Sequence, residues 1–556
     1  MRAQKSMSIL QKKKLPLLEV AEFDNFRTML TKAQEQAGDN IAIKYRERST
    51  VRDITYTELC GRVNALGTAL SSMEDGLGAV AVIGENSHRY ITVIMTTLAS
   101  NGVIIPIDKE LPFAEIVNIL NHSDCTTLFF DKTYLEAVKE NEKALQGVKN
   151  KICFQLKEHE AEGGILSYAS VMDKGQELLE EGNEKYLSLA PADKRLCMLL
   201  YKAGSTDSLK GIMISQFALR SAIIGSMQLV NPGKRCLSVL SYDRTFELVH
   251  GLLCSLHAHA TVCINESNRA FQKNLREYKP DYLILPPLYV ENIWQKITKN
   301  IEKQGRAETM EKLIKTSNAM RKVGIDKRKS FFTAIHEMLG GKLETIIVGG
   351  ASIDPEAIRF YDDIGITVLA GYGTTECLSS ISVSSEKRND FASAGVLLPC
   401  MEIKIDAPNE EGEGEICARG DAVMMGYYKN DRATKEAVEL SGWYHTGDLG
   451  KINTLGQLYV TGRIKNVIVF KSGKSVLPEE IESYLCALPF VKSAKVYAGK
   501  DQGGSEISLE TDVVLDENNF GGMTKSERLS LVKEKIDGLN RTLPSYKRID
   551  SVHIRK

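Results

Sequence analysis

Short, unbroken runs of Val, Ile and Leu alternate with stretches of helical periodicity from about residue 79 onward. AVAVIG (79–84) precedes a helical stretch around YITVIMTTLAS, GVIIPI (102–107) precedes FAEIVNIL, and TTLFF (126–130) follows. Later come LSVL (237–240), TVCIN (261–265), DYLIL (281–285), LETIIV (343–348) and ITVLAGYG (366–373). Strands that are apolar at every position are covered on both faces, as in parallel sheets. Their alternation with helices predicts α/β layers. Residues 300–340 are charged and helical in pattern, which predicts an excursion over the surface.

After about residue 395 the texture changes to Gly-rich β segments: EGEGEICARG, SGWYHTGDLG and GQLYVTG, which read as strands and tight turns. A compact last unit follows Arg463. LPEEIESYL reads as a helix with Pro478 near its start and Glu479 and Glu480 in its first turn, where they favour the helix dipole. SAKVYAG and EISLETDVVL read as strands, and Thr524 with Glu527 forms a capping box for a helix running through Leu543. The boundary falls near 463–465, dividing the chain into 1–462 and 463–556.

Composition narrows the function classes. The 556 residues are 43% hydrophobic and 26% charged, an ordinary globular balance. Lys+Arg (71) and Asp+Glu (72) nearly cancel, so no bulk charge points to a nucleic acid or an acidic membrane. The start, MRAQKSMSILQKKK, is basic without an apolar segment after it. It reads as a solvated tail, with a weak membrane-surface tether as the alternative, so membrane contact is at most peripheral. The longest apolar stretch, Tyr90 to Ile107, is interrupted by Thr, Ser, Asn and Gly. Eleven cysteines stand without metal-ligand spacing, and no C-x-x-C pair occurs. That pattern predicts reduced thiols and a cytoplasmic protein.

Three segments carry chemistry. Tyr201-Lys-Ala-Gly-Ser-Thr-Asp-Ser-Leu-Lys-Gly211 lies between an apolar run and a helical pattern. Gly, Ser and Thr there can wrap phosphates and Lys210 can add a charge, although the spacing is not that of a Walker A loop; a plain surface turn is the alternative. Gly349-Gly350-Ala351 and Gly371-Tyr-Gly-Thr-Thr-Glu376 each follow a strand, and two such ends can build a crevice at the carboxyl edge of a sheet. Tyr372 can stack on a purine and Glu376 can hold Mg²⁺ through oxygen, against turn glycines and a surface glutamate. Third, Trp443-Tyr-His-Thr-Gly-Asp448 is followed by Gly462-Arg463-Ile-Lys465. A carboxylate at a turn can accept both hydroxyls of a ribose beside an Arg; a β-turn Asp and a solvated Arg are the alternative.

In order and spacing these elements resemble the acyl-adenylate-forming (AMP-binding) superfamily from about residue 40 to the end, most specifically in GYGTTE, WYHTGDLG and GRIKNVIVFKSGKSVLPEEIE. VVGGASIDPEAIRFYDDIGITVLAGYGTTECLSSISVS and GVIIPIDKELPFAEIVNIL look most like bacterial long-chain fatty acyl-CoA synthetases. The resemblance implies a large N-terminal domain of two packed α/β subdomains plus a β-barrel-like piece, and a small α+β C-terminal lid. It implies an AMP-forming ligase that uses ATP and Mg²⁺ to activate a carboxylic acid, a fatty acid in particular, and passes the acyl group to CoA. Gly204, Ser205, Thr206 and Lys210 would lie in the phosphate loop. Gly350, Ala351, Tyr372, Gly373 and Thr374 would line the nucleotide pocket, Thr375 would touch phosphate and Glu376 would bind Mg²⁺. Asp448 and Arg463 would hold the ribose, Val460 would pack against the nucleotide, and Lys465 would sit at the lid hinge.

The sequence departs from the family pattern in three places. Lys202 and Ala203 replace a leading Thr-Ser, Asp207 a Gly, and Leu209 a Pro or Ser. A carboxylate beside a triphosphate is adverse unless a cation intervenes. Asp243 and Arg244 stand where the family carries histidines; His250, His257 and His259 lie nearby and read as core or surface residues. Pro544-Ser-Tyr546 is present, but the chain stops at Lys556, short of the family's adenylation lysine, so the expectation is a truncated last segment or a chain without that lysine. Two rival readings follow: a catalytically impaired homologue that binds nucleotide or acyl groups as a regulatory protein, or an adenylation enzyme that loads an acyl or peptidyl carrier protein.

Overall fold

In a computed structural model, the protein is described over residues 16–160, 163–201, 209–385, 390–466, 468–469, 475–476, 478–499, 508–516, 519–520, 523–543 and 547–555. It divides into two compact units, one of residues 1–402 and 418–444, the other of residues 403–417 and 445–556.

The first unit contains two large sheets. In the first, six parallel strands lie in the order Thr367–Tyr372, Thr345–Val348, Tyr282–Leu285, Arg235–Ser238, Thr261–Ile264 and Ile41–Glu47. Antiparallel strands extend it at both ends, Thr50–Thr55 at one and Ser382–Val383 with Val396–Leu397 at the other. The second sheet has Leu196–Tyr201, Val103–Ile107, Ala79–Ile83, Thr127–Phe130, Asn150–Cys153 and Ile165–Ser167 in parallel, then Gly211–Ser215 and Gly426–Tyr427 antiparallel at one edge.

The apolar runs account for these positions. Val80, Ala81, Val82 and Ile83 are all buried, as are Leu128, Phe129 and Phe130, because helices cover both faces. The helices begin where the sequence supplies caps: the Thr55 side chain accepts from Glu58 N–H at the start of Tyr56–Ser71, and Ser87 accepts from Tyr90 N–H at the start of His88–Leu98. The two sheets are tied to each other by Asn86, whose amide donates to Leu240 O at 2.6 Å, and by the edge-to-face pair of Tyr90 and Tyr242.

The charged stretch 300–340 folds as helices Pro287–Lys303, Ala307–Lys322, Arg328–Phe331 and Thr333–Met338. It is not wholly a surface excursion. Phe332 and Leu339 are buried against the first sheet, and His336 donates from Nε2 to Ile364 O at 2.8 Å.

The second unit holds most of a four-stranded sheet ordered Met401–Asp406, Gly414–Gly420, Tyr444–Ile452 and Leu458–Arg463. A three-stranded sheet of Val491–Ala498, Leu509–Leu515 and Ser551–Arg555 follows. Ile481, Leu485, Val513, Phe520, Val532 and Ile536 form its core with helices Pro478–Cys486 and Lys525–Thr542. The expected capping box is present: Thr524 Oγ1 accepts from Glu527 N–H while Glu527 accepts from Thr524 N–H. Among the described residues no helix is long and apolar enough to cross a membrane.

Candidate functional site

Thr345–Val348 and Thr367–Tyr372 are parallel neighbours, with Val348 opposite Ala370, so their Gly-rich extensions leave the same edge of the sheet. Gly350 and Ala351 are exposed there. Gly350 has φ +88°, and nothing lies within 4 Å of where a Cβ would be. Gly373 answers a different need: a Cβ on it would stand 2.3 Å from the Ser379 carbonyl carbon.

That close approach comes from a tight turn. Thr375–Cys377 is a single 3₁₀ turn, followed by Leu378 and Ser379 with φ 54° and 55°. Two successive left-handed non-glycine residues are strained, and such strain persists only where the surroundings fix it. Here Ser379 N–H donates to Thr374 O at 2.8 Å, its hydroxyl meets Thr245 Oγ1 at 2.6 Å, and its carbonyl accepts from His250 Nε2 at 3.2 Å. Burial holds His250 down to about 4, so it is the neutral imidazole that donates.

His250 lies in a π-helix, Glu247–Leu253, a form that tends to occur where function distorts a helix. With Phe246, Cys254, Ile347, Val383 and Leu398 it lines a narrow apolar cavity behind the strand ends. Upstream, the Asp243 side chain is largely covered and pairs with Arg244 at 3.2 Å, and Arg244 also reaches Asp108 at 3.0 Å. The positions expected to carry histidines thus hold an ion-paired bridge.

Glu376 is 3% exposed, which overturns the surface-glutamate alternative. The reason is the edge strand Gly426–Tyr427. The Tyr427 hydroxyl donates to Glu376 Oε1 at 3.0 Å, and Met424 N–H donates to the Glu376 carbonyl at 2.7 Å. Burial, then the Glu376 carboxylate, pushes the phenols of both Tyr427 and Tyr444 far above their ordinary range. Lys210 Nζ lies 5.1 Å from the centre of the Tyr427 ring. Lys210, Tyr427 and Glu376 are therefore brought together from three distant parts of the chain. A carboxylate in a threonine-rich turn is the hard oxygen donor that Mg²⁺ prefers, so these residues fit that ion.

In the second unit, Asp448 and Arg463 face each other across antiparallel strands. Asp448 is 5% exposed, and its Oδ1 accepts from Arg463 Nε at 3.0 Å. The turn before it is closed by the Thr446 hydroxyl: Gly447 takes φ 73°, Asp448 N–H donates to Thr446 Oγ1 at 3.1 Å, and Thr446 Oγ1 donates to Ile416 O at 2.7 Å. Val460 is 39% exposed, opposite Gly450. Lys465 lies in the 3₁₀ turn Ile464–Asn466. Gly204, Ser205 and Thr206 lie outside the described residues, as do Lys202, Ala203, Asp207, the Pro544–Tyr546 segment and Lys556. Leu209 packs against the core of the second large sheet.

The profile of the AMP-binding enzyme family matches residues 30–428, most of the chain. The chain belongs to the AMP-binding enzyme family. Among curated AMP-binding relatives, it is 26% identical over 517 residues to long-chain-fatty-acid–CoA ligase 6 of Rattus norvegicus, covering 86% of this chain and 73% of that protein. Among solved structures, the anthranilate CoA ligase AuaEII in complex with anthranoyl-AMP aligns with TM-score 0.73 and 17% identity, over 97% of this chain and 94% of that one. The Mycobacterium tuberculosis fatty acyl CoA synthetase aligns with TM-score 0.65 and 18% identity, over 96% and 94%. These show that the α/β fold is that of the adenylate-forming enzymes. Tyr427, Tyr444, Thr245 and His250 had no readable role in the AMP-binding motifs; only the fold brings them to the turn at Thr375–Ser379.

Proposed function

We propose that this chain is an AMP-forming acid–thiol ligase that activates a fatty acid as acyl-AMP and transfers the acyl group to CoA. The observation that carries the reading is the buried Glu376, hydrogen-bonded by Tyr427 at the carboxyl edge of a parallel sheet within the family match. Burial of an acid is costly unless it is partnered, and its partner Tyr427 has Lys210 Nζ 5.1 Å from its ring centre.

In the first step a carboxylate oxygen attacks the α-phosphorus of ATP, and the bond to pyrophosphate breaks. The protein contributes positioning and charge rather than a covalent intermediate. Asp448 accepts the ribose hydroxyls and is itself oriented by Arg463. Exposed Gly350 and Ala351, with Tyr372 and Gly373, form the floor for the base, and Thr374 and Thr375 donate to phosphate. Glu376 would hold Mg²⁺, which supplies neutralisation of phosphate charge when bound; Lys210 adds a cation of the chain's own. The narrow apolar cavity bounded by Phe246, Ile347 and Leu398 gives an apolar acyl chain its matching walls. In the second step the thiol sulfur of CoA attacks the acyl carbonyl and AMP leaves. A rotation about Lys465, with 463–556 moving as the lid, exchanges one set of catalytic groups for the other.

The fatty-acid preference rests on the similarity to long-chain-fatty-acid–CoA ligases. The test is acid-dependent release of pyrophosphate across a panel of fatty and aryl acids, with CoA present or omitted. A carrier-protein acceptor would show as pyrophosphate release without acyl-CoA. An impaired homologue would bind nucleotide and release none.

A further inference from the structure

Three side chains in the second unit converge without belonging to the nucleotide groups. Glu415 and Cys417 stand two apart on the strand Gly414–Gly420, so they share a face, and His445 stands on the adjoining strand Tyr444–Ile452. His445 Nδ1 is 2.8 Å from Glu415 Oε2 and 3.4 Å from Cys417 Sγ. One donor atom from each of the three lies within 4.8 Å of the others. In a tetrahedral site with bonds of about 2.0–2.3 Å, ligand atoms are about 3.3–3.6 Å apart. The two separations at His445 bracket that size, so closing the site takes an opening of the His–Glu contact by about half an ångström and a Glu415–Cys417 separation, within 4.8 Å here, settling near it.

We propose that Glu415, Cys417 and His445 bind a borderline-soft divalent cation of the Zn²⁺ class. The donor set decides the class: thiolate and imidazole select such ions over Mg²⁺ or Ca²⁺, and the carboxylate supplies a third ligand. Water supplies the fourth. The Glu415 side chain is 19% exposed and that of His445 30%, so an ion reaches the cluster from that side while Cys417 is buried. Glu415 is already oriented, since its Oε1 accepts from Gly447 N–H at 3.0 Å and leaves Oε2 toward His445. Binding replaces the Cys417 S–H proton by an S–metal bond and releases one proton. His445 opens the turn that ends at Asp448, so the ion would also fasten that turn to the neighbouring strand. Spacing along the chain hides the site, because its ligands are brought together only by strand pairing.

The test is titration of the metal-free, full chain with Co²⁺, followed by Zn²⁺. One equivalent of Co²⁺ should give a near-ultraviolet thiolate-to-cobalt band that Zn²⁺ displaces, with release of one proton. Cys417→Ser should abolish the band and His445→Ala should weaken Co²⁺ binding by about tenfold or more. Glu415→Gln, which keeps the shape of the strand, should keep the thiolate band but require more metal. Cys486→Ser, at an exposed cysteine, should behave as the parent. Zn²⁺ should raise the melting temperature of the parent and not of Cys417→Ser, with circular dichroism confirming that both are folded. A band that persists in Cys417→Ser, or a parent chain without stoichiometric binding, overturns the site and leaves a His–Glu hydrogen bond.

Discussion

The Tyr427 hydroxyl and the Glu376 carboxylate, 3.0 Å apart, are joined by a bond that neither residue's sequence neighbourhood announces. It links the last edge strand of one sheet to the Gly-rich turn of the other. Removing the donor takes one hydrogen bond from a buried carboxylate, which costs about 1.5–3 kcal/mol. Tyr427→Phe should therefore lower stability by that amount in chemical denaturation, and adenylation should fall with it. Glu376→Gln retains an acceptor for Tyr427, so it should destabilise less while slowing adenylation by about 10²-fold or more. Equal stability losses with unaltered turnover would separate Glu376 from the chemistry.

Asp448 is held by Arg463 before any ligand arrives. Charge-assisted hydrogen bonds contribute about 1.5–3 kcal/mol each, reduced by competition with water. Asp448→Ala should weaken ATP and AMP binding at least about tenfold in calorimetry, with the fold intact by circular dichroism. Unchanged affinity would remove Asp448 from the nucleotide site.

Gly350 and Gly373 should respond differently to alanine. At Gly350 the space is open and only the positive φ resists, a cost of about 1–2 kcal/mol. At Gly373 the added carbon collides with the Ser379 backbone, so the turn must move. Overpacking there should cost about 1–3 kcal/mol and displace Thr374–Glu376. Nucleotide affinity should thus drop much more in Gly373→Ala than in Gly350→Ala. The reverse order would contradict the geometry.

Glu247, in the π-helix, is fully buried, and burial pushes its carboxyl up to about 8. Its proton is kept by the folded chain and lost by the unfolded chain over the window from the ordinary value of 4.5 to about 8. Stability contributed by this group is therefore full below that window and falls as pH rises through it. The loss reaches at most roughly 5 kcal/mol. Glu247→Gln should flatten the decline in melting temperature between those limits, because a neutral amide has no proton to lose. An unchanged pH profile would show that the carboxyl is solvated.

Most central strands after residue 79 were legible because they are largely apolar, as parallel strands covered on both faces require, whereas Ile41–Glu47 and Thr50–Thr55 carry charged residues and were not. The helix after Thr524 was legible because its capping box is local. The nucleotide motifs were legible as strings, and the Asp448–Arg463 pairing follows from two strands that adjoin in sequence. What could not be read was everything made by packing between distant segments. Glu376 reads as a Mg²⁺ ligand with a surface acid as the alternative, and its burial shows only once Tyr427 covers it, 51 residues downstream. The helices between 300 and 340 look polar because their inward residues, such as Met310, Leu313, Phe332 and Leu339, are scattered among charged ones. Cys417 and His445 meet by strand pairing alone.

The central claim is the acid-activating reaction, and acid-dependent pyrophosphate release from MgATP tests it most directly. With a panel of fatty and aryl acids, the account predicts release that depends on the acid and is greatest with a fatty acid, AMP as the nucleotide product, and acyl-CoA only when CoA is added. Nucleotide binding with no pyrophosphate released for any acid would contradict it.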